Sequence, residues 1–265
     1  MAREGEIEEV KKKRAEIAAF FDLDGTLIAG PSLERRFFRE LQCKRMIGWK
    51  NYLRWSAQAL RLAPRGITEI FQANKMYLRG IAVARYERNA REIMRHAFLA
   101  AAVERVAWHA ERGDSIVIVS GTFDFLARGV ARELETILLR RGISTKLHVC
   151  ATRLEEKDGW WTGQIIGEAV FGGAKARAAR RLAAQMGFDL KQSYAYGDSA
   201  QDWWMLDAVG NPWAVNPAPG LSQAAREKNW PIVWWNAKIE LTQSTQRAQR
   251  TQRRVEGVTR PGSSV

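Results

Sequence analysis

Four short apolar runs punctuate the chain, each bounded by polar or turn-forming residues. They are Ala18-Ala19-Phe20-Phe21, Ser115-Ile116-Val117-Ile118-Val119, Ser193-Tyr194-Ala195-Tyr196 and Trp213-Ala214-Val215. Continuous rather than alternating apolar character is what strands covered on both faces require, because every side chain then meets another layer of protein. Stretches with helical character, Phe125–Arg141 and Lys175–Met186, lie between the runs. This alternation predicts an α/β fold built on an open, mostly parallel sheet.

The interval between the first and second runs has a different pattern. Ser32 is placed to cap a helix beginning at Leu33, and Trp49, Leu53 and Leu60 recur at helical spacing. Pro64-Arg65-Gly66 breaks the chain, Thr68 is placed to cap the next helix and Gly80 to end it, and Ala84–Arg112 reads as one long helix or two. An insert of this length predicts a second, smaller helical domain over 31–110, dividing the core into 1–30 and 111–235. Further on, Lys146–Gln164 has the pattern of a β-hairpin turning at Asp158-Gly159. From Asn236 the chain is rich in Thr, Gln, Arg and Gly without apolar periodicity, which predicts a disordered basic tail over 236–265. The eleven tryptophans, including the pairs Trp160-Trp161, Trp203-Trp204 and Trp234-Trp235, are expected to fill the core and the domain interface. His96, His109 and His148 have no metal-ligand spacing and read as packing or surface residues.

Composition bounds this picture. The chain has 265 residues, 46% of them apolar, enough for a core with a smaller attached domain. No run approaches a membrane span, and the charged segment Met1 to Arg14 does not have a signal-peptide pattern. Two cysteines, Cys43 and Cys150, make no disulfide framework and suit a reducing cytoplasm. The net charge of +13 is unevenly spread: residues 31–110 hold 16 Lys/Arg against 6 Asp/Glu, and residues 236–265 hold 6 against 2. Both segments attract anions, which admits a nucleic acid or an anionic membrane surface as a partner. No specific protein partner is implied.

Candidate chemistry gathers at the ends of the predicted strands, where ligands bind in open α/β sheets. Asp22 and Asp24 follow the first strand in Asp-Leu-Asp-Gly-Thr. One carboxylate of such a pair can attack phosphorus while the other moves a proton to and from the leaving oxygen, and hard oxygen donors suit Mg²⁺. Taken alone, such a pair is more often a solvated turn. The second strand ends in Ser120-Gly121-Thr122, whose hydroxyl and backbone N–H groups can donate to phosphate oxygens, and which also fits a plain strand-to-helix turn. Lys175 opens a helix after Gly172-Gly173, either as a cation for phosphate or as a solvated lysine. Asp198 and Asp202, in Gly-Asp-Ser-Ala-Gln-Asp, are expected on one face of a starting helix, where like charges need a cation between them; Asp198 as a simple N-cap is the other reading.

Asp22-Leu-Asp-Gly-Thr, Ser120, Lys175 and Gly197-Asp198-x-x-x-Asp202 together resemble, in order and spacing, the four motifs of the haloacid dehalogenase-like (HAD) superfamily. The helical insert between the first two resembles the C1 cap of its subfamily IB, the phosphoserine-phosphatase-like branch. The resemblance implies a Rossmann-like core and a Mg²⁺-dependent phosphatase acting on a small phosphorylated metabolite through an aspartyl-phosphate. Asp22 would be the nucleophile and Asp24 the general acid/base. Ser120, Gly121 and Lys175 would bind phosphate. Asp198 would hold the metal with Asp22 and the Asp24 backbone carbonyl, and Asp202 would anchor its water shell. The second carboxylate, Asp24, argues for phosphate esters over halides, since an alkoxide leaving group needs a proton and a halide does not. The resemblance also brings a phosphoserine phosphatase of serine biosynthesis as an alternative, and the basic charge brings a nucleic-acid- or membrane-binding protein on the same scaffold. The phosphoserine enzymes carry Glu nine residues after the nucleophile, for the amine of serine. Here that position is Pro31, with Glu34 one helical turn beyond, so L-phosphoserine is expected to be a poor substrate.

Overall fold

The computed structural model describes residues 16–66, 70, 72–84, 86 and 97–235. Thr68, His96 and the tail 236–265 lie outside the described residues. The elements of the main sheet are β1 (Ala18–Phe21), β4 (Ser115–Phe123), β5 (Leu147–Lys157), β6 (Trp160–Ile166), β7 (Tyr194–Gly197), β8 (Asn211–Val215) and β9 (Ile232–Val233). Between β1 and β4 the two short strands β2 (Ile28–Ala29) and β3 (Ala97–Phe98) pair with each other. The helices bounded within the described residues include α1 (Leu33–Cys43), α2 (Trp49–Leu62), α3 (Ala100–Glu111), α4 (Asp124–Leu139), α5 (Gly173–Met186), α6 (Trp203–Leu206) and α7 (Pro219–Glu227).

All four apolar runs form strands, and all are interior to the sheet. Its order is β6-β5-β4-β1-β7-β8-β9, parallel throughout except for the antiparallel β6 at one edge. The fold is thus α/β and Rossmann-like. Ala18 to Phe21 have no exposed surface, and neither have Ile116 to Val119. The reason is alternate coverage: Ala19, Phe21, Ile116 and Ile118 join the apolar cluster on one face, while Ala18, Phe20, Val117 and Val119 join the cluster on the other. The hairpin β5–β6 turns at Asp158 and Gly159, both with positive φ (54° and 82°), as two-residue hairpin turns demand.

Three expectations for the insert change. Of the two readings of Ala84–Arg112, one long helix is excluded, because Ala97 and Phe98 form strand β3 against Ile28 and Ala29. The last helix, α3, packs on the main sheet through the buried Val103, Val106 and His109 rather than standing apart from it. The tryptophans do not all face inward. Trp161 and Trp235 are buried, whereas Trp49, Trp160 and Trp234 are more than half exposed. The N-terminus of α1 is as expected, with Ser32 Oγ accepting from the Arg35 N–H at 3.4 Å.

Candidate active site

Parallel pairing of β1 with β4 on one side and β7 on the other brings three carboxyl-terminal strand ends together. The strand ends and the loops leaving them carry Asp22 to Gly25, Ser120 to Thr122 (the end of β4) and Asp198 to Asp202. These are the sequence candidates, contributed by segments nearly 180 residues apart. The fourth segment, α5, arrives from the flank. Its start at Gly173 puts Lys175 in the first turn, buried, with its Nζ donating to Asp22 Oδ1 at 2.5 Å and Asp202 Oδ1 at 2.5 Å.

Asp202 reaches the cluster differently from the way its spacing suggests. Asp198 and Asp202 do not share a helix face. Ser199 caps the 3₁₀ turn Ala200–Asp202, and Asp202 Oδ2 folds back to accept from the Asp198 N–H (3.2 Å), the Ser199 N–H (3.0 Å) and Ser199 Oγ (2.9 Å). The N-cap is therefore Ser199, not Asp198. Fully buried, Asp202 spends one oxygen on Lys175 and the other on the loop, so it fixes both. Gly25 brings the first loop against the third. Its φ is +89°, and a Cβ there would stand 2.1 Å from Asp198 Oδ2. In β4 the register slips between Ser120 and Phe123, a bulge that takes Gly121 and Thr122 out of the ladder with β5. Ser120 Oγ accepts from the Thr122 N–H at 3.2 Å, and the buried Thr122 hydroxyl has no partner among the described residues.

The electrostatics follow from burying like charges. Burial pushes the Asp22 carboxyl well above the usual carboxylate range; Lys175 pulls it down, and Asp202 and Asp198 push it further up. Asp198 is raised to about 7 by burial and by Asp202. For Lys175, burial works against the charge, but Asp202 and Asp22 beside it outweigh burial and raise its pKa, keeping it cationic. Oxygens of Asp22, Asp198 and Asp202 all lie within 4.8 Å of one another. Three carboxylates against one ammonium leave an excess of two negative charges, and hard oxygens suit a divalent cation such as Mg²⁺, so this donor set fits one. Asp24 stands apart from that cluster. It accepts from the Leu33 N–H at 2.9 Å, and burial raises it to about 6, the backbone bond lowering it only in part.

With that geometry established, the comparisons with known proteins become specific. The family model of haloacid dehalogenase-like hydrolases matches residues 19–207, spanning every residue of the cluster. The chain belongs to this family. Among its relatives, a probable phosphatase of Mycobacterium tuberculosis is 30% identical over 240 residues, 86% of this chain and 78% of the relative. A phosphoserine phosphatase of the same organism is 32% identical over 225 residues, 81% of this chain and 70% of the relative. The hydrolase also shares its fold with a Bordetella pertussis protein of unknown function (TM-score 0.65, 27% identity, 83% of this chain and 98% of that one). A phosphoserine phosphatase carrying an analogue of the phospho-aspartyl intermediate has the same fold (TM-score 0.57, 21% identity, 88% and 99% covered).

Several residues around the hydrolase's site escaped the sequence reading. Gly25 and Ser199 were legible in principle, the first inside Asp-Gly-Thr and the second as Ser-x-x-Asp, a capping-box spacing. Lys75 was not. Its Nζ pairs with Glu34 Oε1, and Tyr77 donates its O–H to the same oxygen at 3.3 Å. Lys75 also lies 5.3 Å above the ring of Phe123, just beyond the β4 bulge.

Proposed function

We propose that the protein is a phosphomonoester phosphatase working through an aspartyl-phosphate, with the segment 31–110 as its cap apart from α3, which packs on the main sheet. The observation that carries this reading is the contrast between the two carboxyls of one loop. Asp22 is bound to a buried lysine inside an acidic cluster that fits a divalent cation. Asp24 is outside it, with a pKa raised to about 6, which suits a group that must give and take a proton near neutrality.

In this mechanism an Asp22 oxygen attacks phosphorus as the phosphorus–oxygen bond to the leaving group breaks, and Asp24 gives its proton to the departing oxygen. Asp24, now ionised, takes a proton from a water that attacks the phosphoaspartate, releasing inorganic phosphate and restoring both carboxyls. Lys175 neutralises charge on Asp22 and on the transferring group, and Ser120, Gly121 and the partnerless Thr122 hydroxyl supply donors to phosphate oxygens. Asp22, Asp198, Asp202 and the Asp24 carbonyl would hold or orient Mg²⁺, which would offset the repulsion between carboxylate and phosphate dianion.

The substrate is proposed as a small phosphate ester without an ammonium requirement. Glu34, the carboxylate nearest the position where phosphoserine enzymes bind the amine, is already paired with Lys75 and Tyr77. A cytoplasmic setting fits the two free cysteines.

The test is acid-quench mass spectrometry with turnover on a panel of phosphate esters. Asp22→Asn is expected to remove turnover without unfolding the protein, and Asp24→Asn to accumulate phosphoenzyme. Near-normal turnover in Asp22→Asn would overturn the covalent mechanism.

A further inference from the structure

Helix α2 has two apolar faces, and among the described residues only one of them is packed against the rest of the fold. The inner face anchors it. Asn51 Nδ2 donates to the carbonyls of Tyr77 (2.9 Å) and Arg79 (2.8 Å), Leu62 is buried, and Trp55 packs against Phe38 and Tyr77. The Trp55 carbonyl accepts from Asn74 Nδ2 at 2.8 Å. With both backbone and side chains fixed in this way, the opposite face cannot turn inward.

That opposite face carries Trp49, Leu53 and Leu60, exposed by 68%, 59% and 77%. At about 100° per residue, positions four and eleven after Trp49 fall within about 40° of it, so the three side chains form one stripe. Lys50, Arg54 and Arg61, all exposed, follow along one border of the stripe, and the helix contains no acidic residue. Lys50 Nζ lies 5.7 Å from the Trp49 ring, its stem alongside the indole.

We propose that α2 is a docking helix for an anionic lipid surface, with Leu53, Leu60 and Trp49 entering the headgroup boundary and Lys50, Arg54 and Arg61 meeting lipid phosphates. Charge complementarity selects this occupant. An indole beside leucines with a cationic border is the composition of a helix lying in a membrane interface. Two copies meeting through this stripe would set three cations against three with no acid to offset them. Nucleic acid would use the cations and leave two exposed leucines without a role. No helix among the described residues is long and apolar enough to cross a membrane, so the contact is peripheral.

The experiment is flotation of the full chain with vesicles of phosphatidylcholine alone or mixed with phosphatidylglycerol, at low and high ionic strength. The expected result is binding to the anionic vesicles only, weakened by salt. The double variant Leu53→Asn, Leu60→Asn is expected to lose at least about tenfold of the binding, and Lys50→Glu with Arg54→Glu to abolish the anionic preference. Melting temperature and hydrolysis of a small soluble phosphate ester should be unchanged in both, which separates lost docking from lost folding. The proposal fails on any of four outcomes: no binding to anionic vesicles, equal binding to neutral ones, binding retained in the leucine variant, or a dimer in gel filtration that the leucine variant dissolves. Tighter binding to a single-stranded oligonucleotide than to the vesicles would also overturn it.

Discussion

Glu34 illustrates how one side chain's partner changes what a site can recognise. Its carboxylate is close enough to Asp24 to raise that group's pKa, so it faces the reaction centre, yet it is held by Lys75 and Tyr77. An ammonium arriving there finds a neutralised pair, and displacing Lys75 would take the ion pair with Glu34 from a cation with only 1% exposure. L-phosphoserine is therefore expected to show no advantage in kcat/KM over other phosphate esters. Lys75→Met leaves Tyr77 as the side-chain partner of Glu34 among the described residues. It should raise kcat/KM for L-phosphoserine by about tenfold relative to its N-acetylated form, which has no ammonium, the gain corresponding to one charge-assisted contact. An unchanged ratio would show that Glu34 does not face the leaving group. The two charges are 41 residues apart in sequence, joined by a contact between α1 and the segment following α2.

Among the elements, the loop after β1 has both a left-handed backbone and no room for a side chain at Gly25. Gly25 has a φ of +89° and stands where a Cβ would meet Asp198 Oδ2 at 2.1 Å. Gly25→Ala is expected to lower stability by roughly 1–3 kcal/mol and to remove most activity, because the loops carrying Asp22 and Asp198 must separate. Gly142 provides the comparison, since its φ is +81° but nothing lies within 4 Å of a Cβ there. Gly142→Ala should have only the conformational part of the cost and keep its activity. Thermal unfolding with turnover on the two variants checks this; equal activity in both would mean that the loop spacing has slack.

Across the whole molecule, two sets of buried ionisable groups oppose each other as pH changes. His109 lies between Asp114 and Tyr196 in the core. Its Nδ1–H donates to Asp114 Oδ2 (2.8 Å), so Nε2 accepts from the Tyr196 O–H (2.9 Å) and the ring is neutral. Burial lowers its pKa from 6.5 to about 4, against the pull of Asp114. Because the unfolded chain takes up this proton first, the stability it contributes is full above pH 6.5 and is lost as pH falls toward 4, by roughly 3 kcal/mol. Asp22, Asp24 and Asp198 have raised pKa values and act with the opposite sign, their cost growing as pH rises. Melting temperatures of the wild type and His109→Gln between pH 4 and 7 isolate the first effect: the wild type should fall more steeply toward acid, and parallel curves would refute the assignment. A divalent cation would relieve the second. EDTA is expected to abolish turnover and Mg²⁺ to restore it, while Mg²⁺ should raise the melting temperature of the wild type but not of Asp198→Asn. Full turnover in excess chelator would remove the metal from the mechanism.

The apolar runs by themselves determined the strands of the sheet interior, since a strand covered on both faces has no polar position to spare and that demand is local. That Asp22, Asp24, Ser120, Lys175, Asp198 and Asp202 stand at strand ends or helix starts was legible for a related reason, since their own neighbours define those positions; that they form one set was implied only by the resemblance to a family. What only the tertiary structure decided depends on contacts between distant segments. Asp202 turns back to Ser199 and across to Lys175 instead of forming a helix face with Asp198. Ala97 and Phe98 become a strand because Ile28 and Ala29 offer them one. Lys75 finds Glu34, and Trp49, Leu53 and Leu60 face outward although their spacing is the same as that of a buried stripe. Periodicity reports that a helix has an apolar face; which face is covered depends on the packing of Asn51, Trp55 and Leu62 against the rest of the fold.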